Sequence, residues 1–357
     1  MNPNTKECAT CFLTDKFPGV VIGDDGVCNS CKKMDSDPKP AEVTVGNLDQ
    51  LREIAEEIKR SRQGKYDCII GASGGLDSSY VIYVAKKLLR LSPLIVHYDH
   101  GFVAEQADRN LANIARAFNV DIVSIKSKKN LDVLFVKHFI SALEKTGIYW
   151  GMCTCCHYIL KRVVDLHAAQ YDLTWMLVSQ NEVEQLRQLG RDFRPRKFLK
   201  AIFSGSPITL IERFYHLMMA YYYFTRFKIE FKEPLFRALT ILRSEEKLHL
   251  KKVNITKYVK WDFDEMVKVL SAEANWSYPA GGLPMRFDCI LEHSYVLITE
   301  KNALNIAPYG QIFNNLIHRK LKTKGELKGI AKYYESKIPE EIAEAQRRMK
   351  SVSQLVS

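Results

Sequence analysis

The sequence predicts an α/β protein built on a doubly wound parallel sheet, with a small cysteine-rich segment before it and a mainly helical part after it. Three observations carry that expectation. Apolar runs of strand length alternate with helical periodicity between Tyr66 and Val178, the pattern of parallel strands buried on both faces. A glycine-rich turn follows the first of these runs directly. Two Cys-x₂-Cys pairs stand ahead of the first helix.

Cys8, Cys11, Cys28 and Cys31 come first, in a stretch rich in Gly, Pro and Asp. Their spacing is that of a four-thiolate zinc ribbon, in which each pair forms one knuckle and the two complete a tetrahedron. A ligand set filled by protein implies a structural ion. Asp35 to Pro40 reads as a linker, and a helix is expected from about Asn47 to Arg62, with Leu48, Leu51, Ile54, Ala55 and Ile58 on one stripe. Strands are then expected at Tyr66 to Ala72, Pro93 to Tyr98, Val120 to Ile125 and Thr174 to Val178. Helices are expected at Leu76 to Leu89, Ala104 to Phe118, Leu131 to Glu144 and Tyr158 to Ala169. Beyond about Glu184 the periodicity turns helical and aromatic-rich. The expected division is therefore a ribbon and linker at 1–40, a nucleotide-type α/β domain at 41–185, and a helical, basic substrate- or partner-binding region at 186–357.

Composition narrows the class. The chain has 357 residues, 46% of them hydrophobic and 26% charged, as in ordinary folded proteins. Its first residues lack the apolar core of a signal peptide, and the apolar stretch from Tyr215 to Phe224 is too short to cross a bilayer. A reducing, cytoplasmic compartment is expected, with the nine cysteines serving as thiols or metal ligands. The net charge is +11, and Arg187 to Lys260 holds 17 Lys and Arg against 6 Asp and Glu, an excess equal to the whole chain's. That field suits a polyanionic partner such as a nucleotide, a nucleotide-sugar or RNA, and equally a solvated basic face.

The first strand runs into Ser73-Gly74-Gly75-Leu76-Asp77-Ser78-Ser79 and then a helix. Two glycines let the backbone turn sharply and present its N–H groups as an anion cradle, to which the helix N-terminus adds donors. Ser73, Ser78 and Ser79 offer hydroxyls, and Asp77 can hold Mg²⁺ against phosphates. The Lys of a Walker A loop is missing. A second thiol group, Cys153-Thr154-Cys155-Cys156 with Cys289 far downstream, reads either as buried core thiols or as a ligand set. Cys68, inside the first strand, reads as core.

The loop string resembles the signature of the pyrophosphatase-loop ATPases. That resemblance implies ATP with Mg²⁺, cleavage between the α and β phosphates, and transfer of AMP to a carbonyl oxygen. It gives Asp77 and Ser78 the catalytic roles and makes Ser73, Gly74, Gly75, Ser79 and Asp99 nucleotide-binding. His97 to Gly101 matches the segment that contacts nucleotide, and Ser179 to Glu182 the segment that closes the site. The ribbon with Phe17-Pro18-Gly19 and Asp25 to Cys31, together with Tyr66 to Ala72 and Val96 to Gly101, resembles the N-acetyl sugar amidotransferases of lipopolysaccharide and nonulosonic acid biosynthesis. This implies conversion of an acetamido sugar to an acetamidino sugar with ammonia from a separate glutaminase, since no glutaminase pattern is present in the chain. In the thiolation branch of the pyrophosphatase-loop enzymes a similar Cys pair and a distant third Cys hold a [4Fe–4S] cluster with one open iron. Cys153, Cys156 and Cys289 therefore leave a second reading open, an ATP-dependent sulfurtransferase acting on tRNA or a small molecule.

Overall fold

The computed structural model describes residues 5–15, 20–36, 47–126, 160, 163–179, 250–279, 288–291, 313, 317 and 323–356. Five strands form one sheet: β1 Cys68–Gly71, β2 Pro93–Asp99, β3 Asp121–Lys126, β4 Trp175–Val178 and β5 Lys251–Asn254. All neighbours pair in parallel, and the order is β3-β2-β1-β4-β5. The winding reverses at β1, which has β2 on one side and β4 on the other. Crevices beyond the carboxyl ends of strands at such a reversal are where doubly wound sheets bind ligands.

The strands alternate their faces. Cys68 and Ile70 of β1 and Ile95 of β2 enter one core with Leu51, Ile58, Ile82, Leu111, Ile114 and Phe118. Ile69, Leu94, Val96 and Tyr98 enter the other, against Val163, Val164 and Ala168. Both faces are covered, so the runs read as continuously apolar.

The helices are α1 Asn29–Ser36, α2 Leu48–Arg60, α3 Leu76–Tyr83, α4 Glu105–Phe118, α5 Phe263–Ala274 and α6 Lys324–Val356. The Asn47 side chain caps α2 by accepting from the Gln50 amide at 2.9 Å. Leu51, Ala55 and Ile58 form its buried stripe. Asn119 ends α4 in the left-handed conformation at φ 49°, one of the few such positions a non-glycine tolerates. The helix expected to run from Leu76 to Leu89 instead widens after Tyr83 into a π turn, Val84–Leu88.

The sheet also extends past the boundary expected at 185. Its fifth strand is β5, and α5 together with Trp276 joins the same core as β1 and β2. The physical reason is that β5 is a short edge strand, Lys-Lys-Val-Asn, in which only Val253 is buried, so it lacks an apolar run. Residues 163–170 are helical, as expected there; the helix expected at Leu131 to Glu144 lies outside the described residues. Among the described residues no helix is long and apolar enough to cross a membrane.

Candidate phosphate-loop site and metal centre

β1 ends at Gly71, and the Ala72 amide still bonds the Val96 carbonyl at 2.9 Å before the chain turns. Gly74 makes the turn at φ +85°. It packs so closely on α4 that a Cβ there would collide with the Ala107 carbonyl, so both backbone conformation and space demand glycine. Gly75 is the N-cap of α3 and supplies no capping side chain, which leaves the first-turn amides of α3 available to an anion. The serines knit the turn: the Ser73 amide donates to Ser78 Oγ at 3.3 Å, Ser78 Oγ donates to the Gly75 carbonyl at 3.2 Å, and the Gly75 amide donates to Ser73 Oγ at 3.4 Å. Ser79 is fully buried, and its hydroxyl has no hydrogen-bond partner among the described residues. Asp77 accepts a hydrogen bond from Trp261 Nε1 at 2.8 Å on Oδ1. The Gly74 carbonyl accepts from Trp276 Nε1 at 3.2 Å and from Asn110 Nδ2 at 3.5 Å.

The turn after β2 lies beside this loop. His97 Nδ1 donates to the Ala72 carbonyl at 2.9 Å, and its buried Nε2 is 3.7 Å from Asp108 Oδ1. Asp99 accepts from the Gly101 amide at 2.8 Å and pairs with Lys126 at 3.0 Å. Burial pushes the Asp99 carboxyl up, but the Gly101 amide and Lys126 outweigh it and hold the group below its ordinary value. Burial raises Asp108 and depresses His100. Arg348 of α6 donates to the Gly101 carbonyl at 3.1 Å and the Val103 carbonyl at 3.0 Å.

A strand-like bridge closes the mouth. Val103 pairs antiparallel with Cys289, the Ala104 amide donates to the Asp288 carbonyl at 3.0 Å, and the Ile290 amide donates to the Phe102 carbonyl at 3.1 Å. The Asp288 carboxylate then lies 3.4 Å from where a Cβ on Gly75 would be. The structure thus brings the Cys289 backbone to the turn after β2, next to Asp288, while Cys153 and Cys156 lie outside the described residues. Ser179 follows β4 as expected, and residues 180–182 are likewise outside them. Asp77 stands in the first turn of α3 and the Asp288 carboxylate lies at Gly75; carboxylate oxygens are the ligand type that a hard divalent cation such as Mg²⁺ takes.

The cysteine centre is separate. Cys8, Cys11, Cys28 and Cys31 are buried with their sulfurs within 4.8 Å of one another. The Cys8–Cys31 and Cys11–Cys28 sulfurs are 3.9 and 3.8 Å apart. A tetrahedron with metal–sulfur bonds of about 2.3 Å has edges of about 3.8 Å, so the set fits one divalent ion. Hydrogen bonding with Cys11 draws the Cys28 thiol down to about 2, while hydrogen bonding with Cys28 pushes Cys11 up. The Cys28 amide donates to Cys8 sulfur and the Cys31 amide to Cys28 sulfur, each at 3.3 Å, as suits thiolates. Lys324 at the start of α6 reaches back to the Cys8 carbonyl and to Glu7, both at 2.6 Å, and Phe12 stacks at a tilt on Phe313.

Sequence reasoning identified the loop and the ribbon but missed Asp288, Asn110, Trp261, Trp276 and Arg348. None stands in a motif, and each reaches the site from a distant segment. The only signal was the pair of tryptophans flanking one helical pattern.

No protein-family model matches the chain. An uncharacterized protein of Methanocaldococcus jannaschii is 28% identical over 121 residues, 33% of this chain and 41% of that one. A glutamine-hydrolysing GMP synthase of Pyrobaculum aerophilum is 35% identical over 81 residues, 23% of this chain and 16% of that one. The chain thus spans less than half the length of these curated relatives. Among solved structures, the U34-tRNA thiolase NcsA of Methanococcus maripaludis, with its [4Fe–4S] cluster, superposes with a TM-score of 0.38 at 12% identity, over 81% of this chain and 80% of that one.

Proposed function

We propose that the chain is an ATP-dependent enzyme of the pyrophosphatase-loop type that adenylates a carbonyl oxygen of its acceptor and replaces that oxygen with sulfur. The observation that supports the sulfur step is the Val103–Cys289 backbone bridge, which holds the Cys289 segment against the turn after β2, with the neighbouring Asp288 at Gly75. In the first step the acceptor oxygen attacks the α-phosphorus. The bond from that phosphorus to the bridging oxygen breaks, and pyrophosphate leaves with the electron pair. The amides of the first turn of α3 would face the charge that develops there, which is electrostatic catalysis by preorganised donors. Mg²⁺ held by Asp77 and Asp288 would neutralise the departing pyrophosphate. In the second step hydrosulfide adds to the activated carbon, its proton is lost to solvent, and the carbon–oxygen bond breaks with AMP as leaving group.

Cys153 and Cys156 would join Cys289 around the sulfur source; a [4Fe–4S] cluster on the three would supply an open iron for sulfide. Exposed Lys252 and Lys257 beside β5 belong to the basic segment that would attract tRNA or another polyanionic acceptor. The four-cysteine centre would hold a structural Zn²⁺.

The second reading replaces sulfide with ammonia from a partner glutaminase acting on an acetamido sugar. It is supported by the stretch similar to a glutamine-hydrolysing GMP synthase and by the ribbon-plus-loop resemblance to the sugar amidotransferases. Mass spectrometry of the product decides. Anaerobically purified chain, ATP, a sulfide source and acceptor RNA should yield AMP, pyrophosphate and a heavier base carrying sulfur for oxygen. A slightly lighter sugar, carrying NH for oxygen and formed only with ammonium salt, would establish the second reading and overturn the first.

A further inference from the structure

Helix α5 carries an indole at each end, and both indole N–H groups donate into the phosphate loop. Trp261, just ahead of it, bonds Asp77 Oδ1 at 2.8 Å. Trp276, just after it, bonds the Gly74 carbonyl at 3.2 Å and is 1% exposed. Neither ring can follow a swinging partner. Trp261 stands edge-on to Tyr80, with centroids 5.4 Å apart at 83°, and the next residue, Asp262, caps α5 by accepting from the Glu265 amide at 3.2 Å. Trp276 stands edge-on to Tyr278 at 4.8 Å, and its carbonyl accepts from Ser271 Oγ at 2.7 Å. Asn110 of α4 ties the following Ser277 at both its amide and its carbonyl.

We infer that the two indoles are positioning residues of the phosphate loop, and that Trp261 orients the Asp77 carboxylate toward a divalent cation. This rests on the reading of Asp77 as that cation's ligand. The chemistry of the donor supports it. An indole N–H donates but carries no charge and accepts nothing, so it fixes one carboxylate oxygen without neutralising the group. A lysine or arginine in the same place would compete with the cation. Outer partners of this kind set ligand orientation in metal sites generally.

The test uses the full chain, inorganic pyrophosphate as the anion and MgCl₂ as the metal, followed by calorimetry and tryptophan emission. Trp261→Phe keeps the ring contact with Tyr80 and removes only the donor. It should require roughly tenfold more Mg²⁺ for pyrophosphate binding, the low end for lost outer partners, while binding without Mg²⁺ is unchanged. Mg²⁺ added at saturating pyrophosphate should alter the emission of the wild-type chain, and this change should be lost in Trp261→Phe. An unchanged Mg²⁺ requirement, or equal weakening with and without Mg²⁺, overturns the inference. Should the variant fail to fold, the wild-type emission decides, and an emission indifferent to Mg²⁺ overturns it likewise. Asp77→Asn separates the two levels. If it loses Mg²⁺ dependence while Trp261→Phe keeps it, only the inference fails; if Asp77→Asn keeps it, the reading of Asp77 fails as well.

Discussion

Gly74 shows how much of the site depends on a missing side chain. Its positive φ and its contact with the Ala107 backbone mean that alanine there must both adopt a left-handed conformation and push α4 aside. Gly74→Ala should cost about 2 kcal/mol or more of stability, seen as a lower urea midpoint by circular dichroism, and should suppress pyrophosphate release. His100 makes a different kind of demand. Burial holds its imidazole neutral, with Asp288 and Asp99 pulling its affinity for protons up and His97 and Arg348 pushing it down. Because the folded value lies below the ordinary 6.5, the unfolded chain binds more protons in the window beneath 6.5. Stability is then full above that value and falls as the pH drops through the window. Asp99 acts in the same direction in a lower window: its carboxyl is depressed from 3.8, so its contribution is full above that value and is lost as the pH falls through the folded value. The urea midpoint should therefore decline between pH 7 and about 5.5, and less so in His100→Asn, which keeps an acceptor for the Phe102 amide. An identical slope in the variant would remove His100 from this role.

At the scale of elements, strand β2 was legible as an unbroken apolar run, and helices α2 and α4 because each obeys one period without interruption. Leu51, Ala55 and Ile58 on α2 sit where a 3.6-residue repeat puts them, and all are buried. The π turn after α3 was not legible, since Val84-Ala85-Lys86-Lys87-Leu88 satisfies an ordinary helical pattern equally well. The ribbon was legible through its spacing alone, and its docking was not. Leu13 and Val20 pack around the sulfurs with Ile317, and Lys324 clasps Cys8 and Glu7, residues remote in sequence. Two variants separate metal from docking. Cys28→Ser should lose one equivalent of zinc and expose the segment before Asp35 to protease, because little core remains without the ion. Lys324→Ala should keep the zinc and still show faster cleavage there. Zinc content unchanged in Cys28→Ser would refute the centre.

For the whole molecule, the sequence pattern supplied four strands and the side of the sheet that carries the chemistry, while the fifth strand and its helix stayed hidden behind a short polar run. That omission has a measurable consequence. A fragment ending at 185 lacks Val253, Ile255, Met266, Leu270 and Trp276, all in the core that β1 and β2 share. Each large apolar side chain among them contributes about 1.5–3 kcal/mol on burial, so the fragment should unfold without a cooperative urea transition. A sharp transition in residues 1–185 would show the nucleotide domain to be independent of β5 and α5. The candidate site divides the same way: the loop proposed to cradle phosphate is local and readable, whereas the groups that contact it and the turn beside it arrive from α4, the ends of α5, α6 and the Asp288 turn.

Helix α6 touches the cysteine centre at Lys324 and the Gly101–Val103 turn at Arg348, points about 36 Å apart along an α-helix. The contact with Cys8 joins residues 316 positions apart. During synthesis the ribbon emerges before α6, and its four thiols are available to an ion long before the surface it rests on has been made. A loop that long closes slowly, because its entropy must be lost before the contact is gained. Ribosome-bound chains should therefore hold their metal before α6 is made, with the ribbon still swinging free, and the clasp onto Lys324 should follow metal binding.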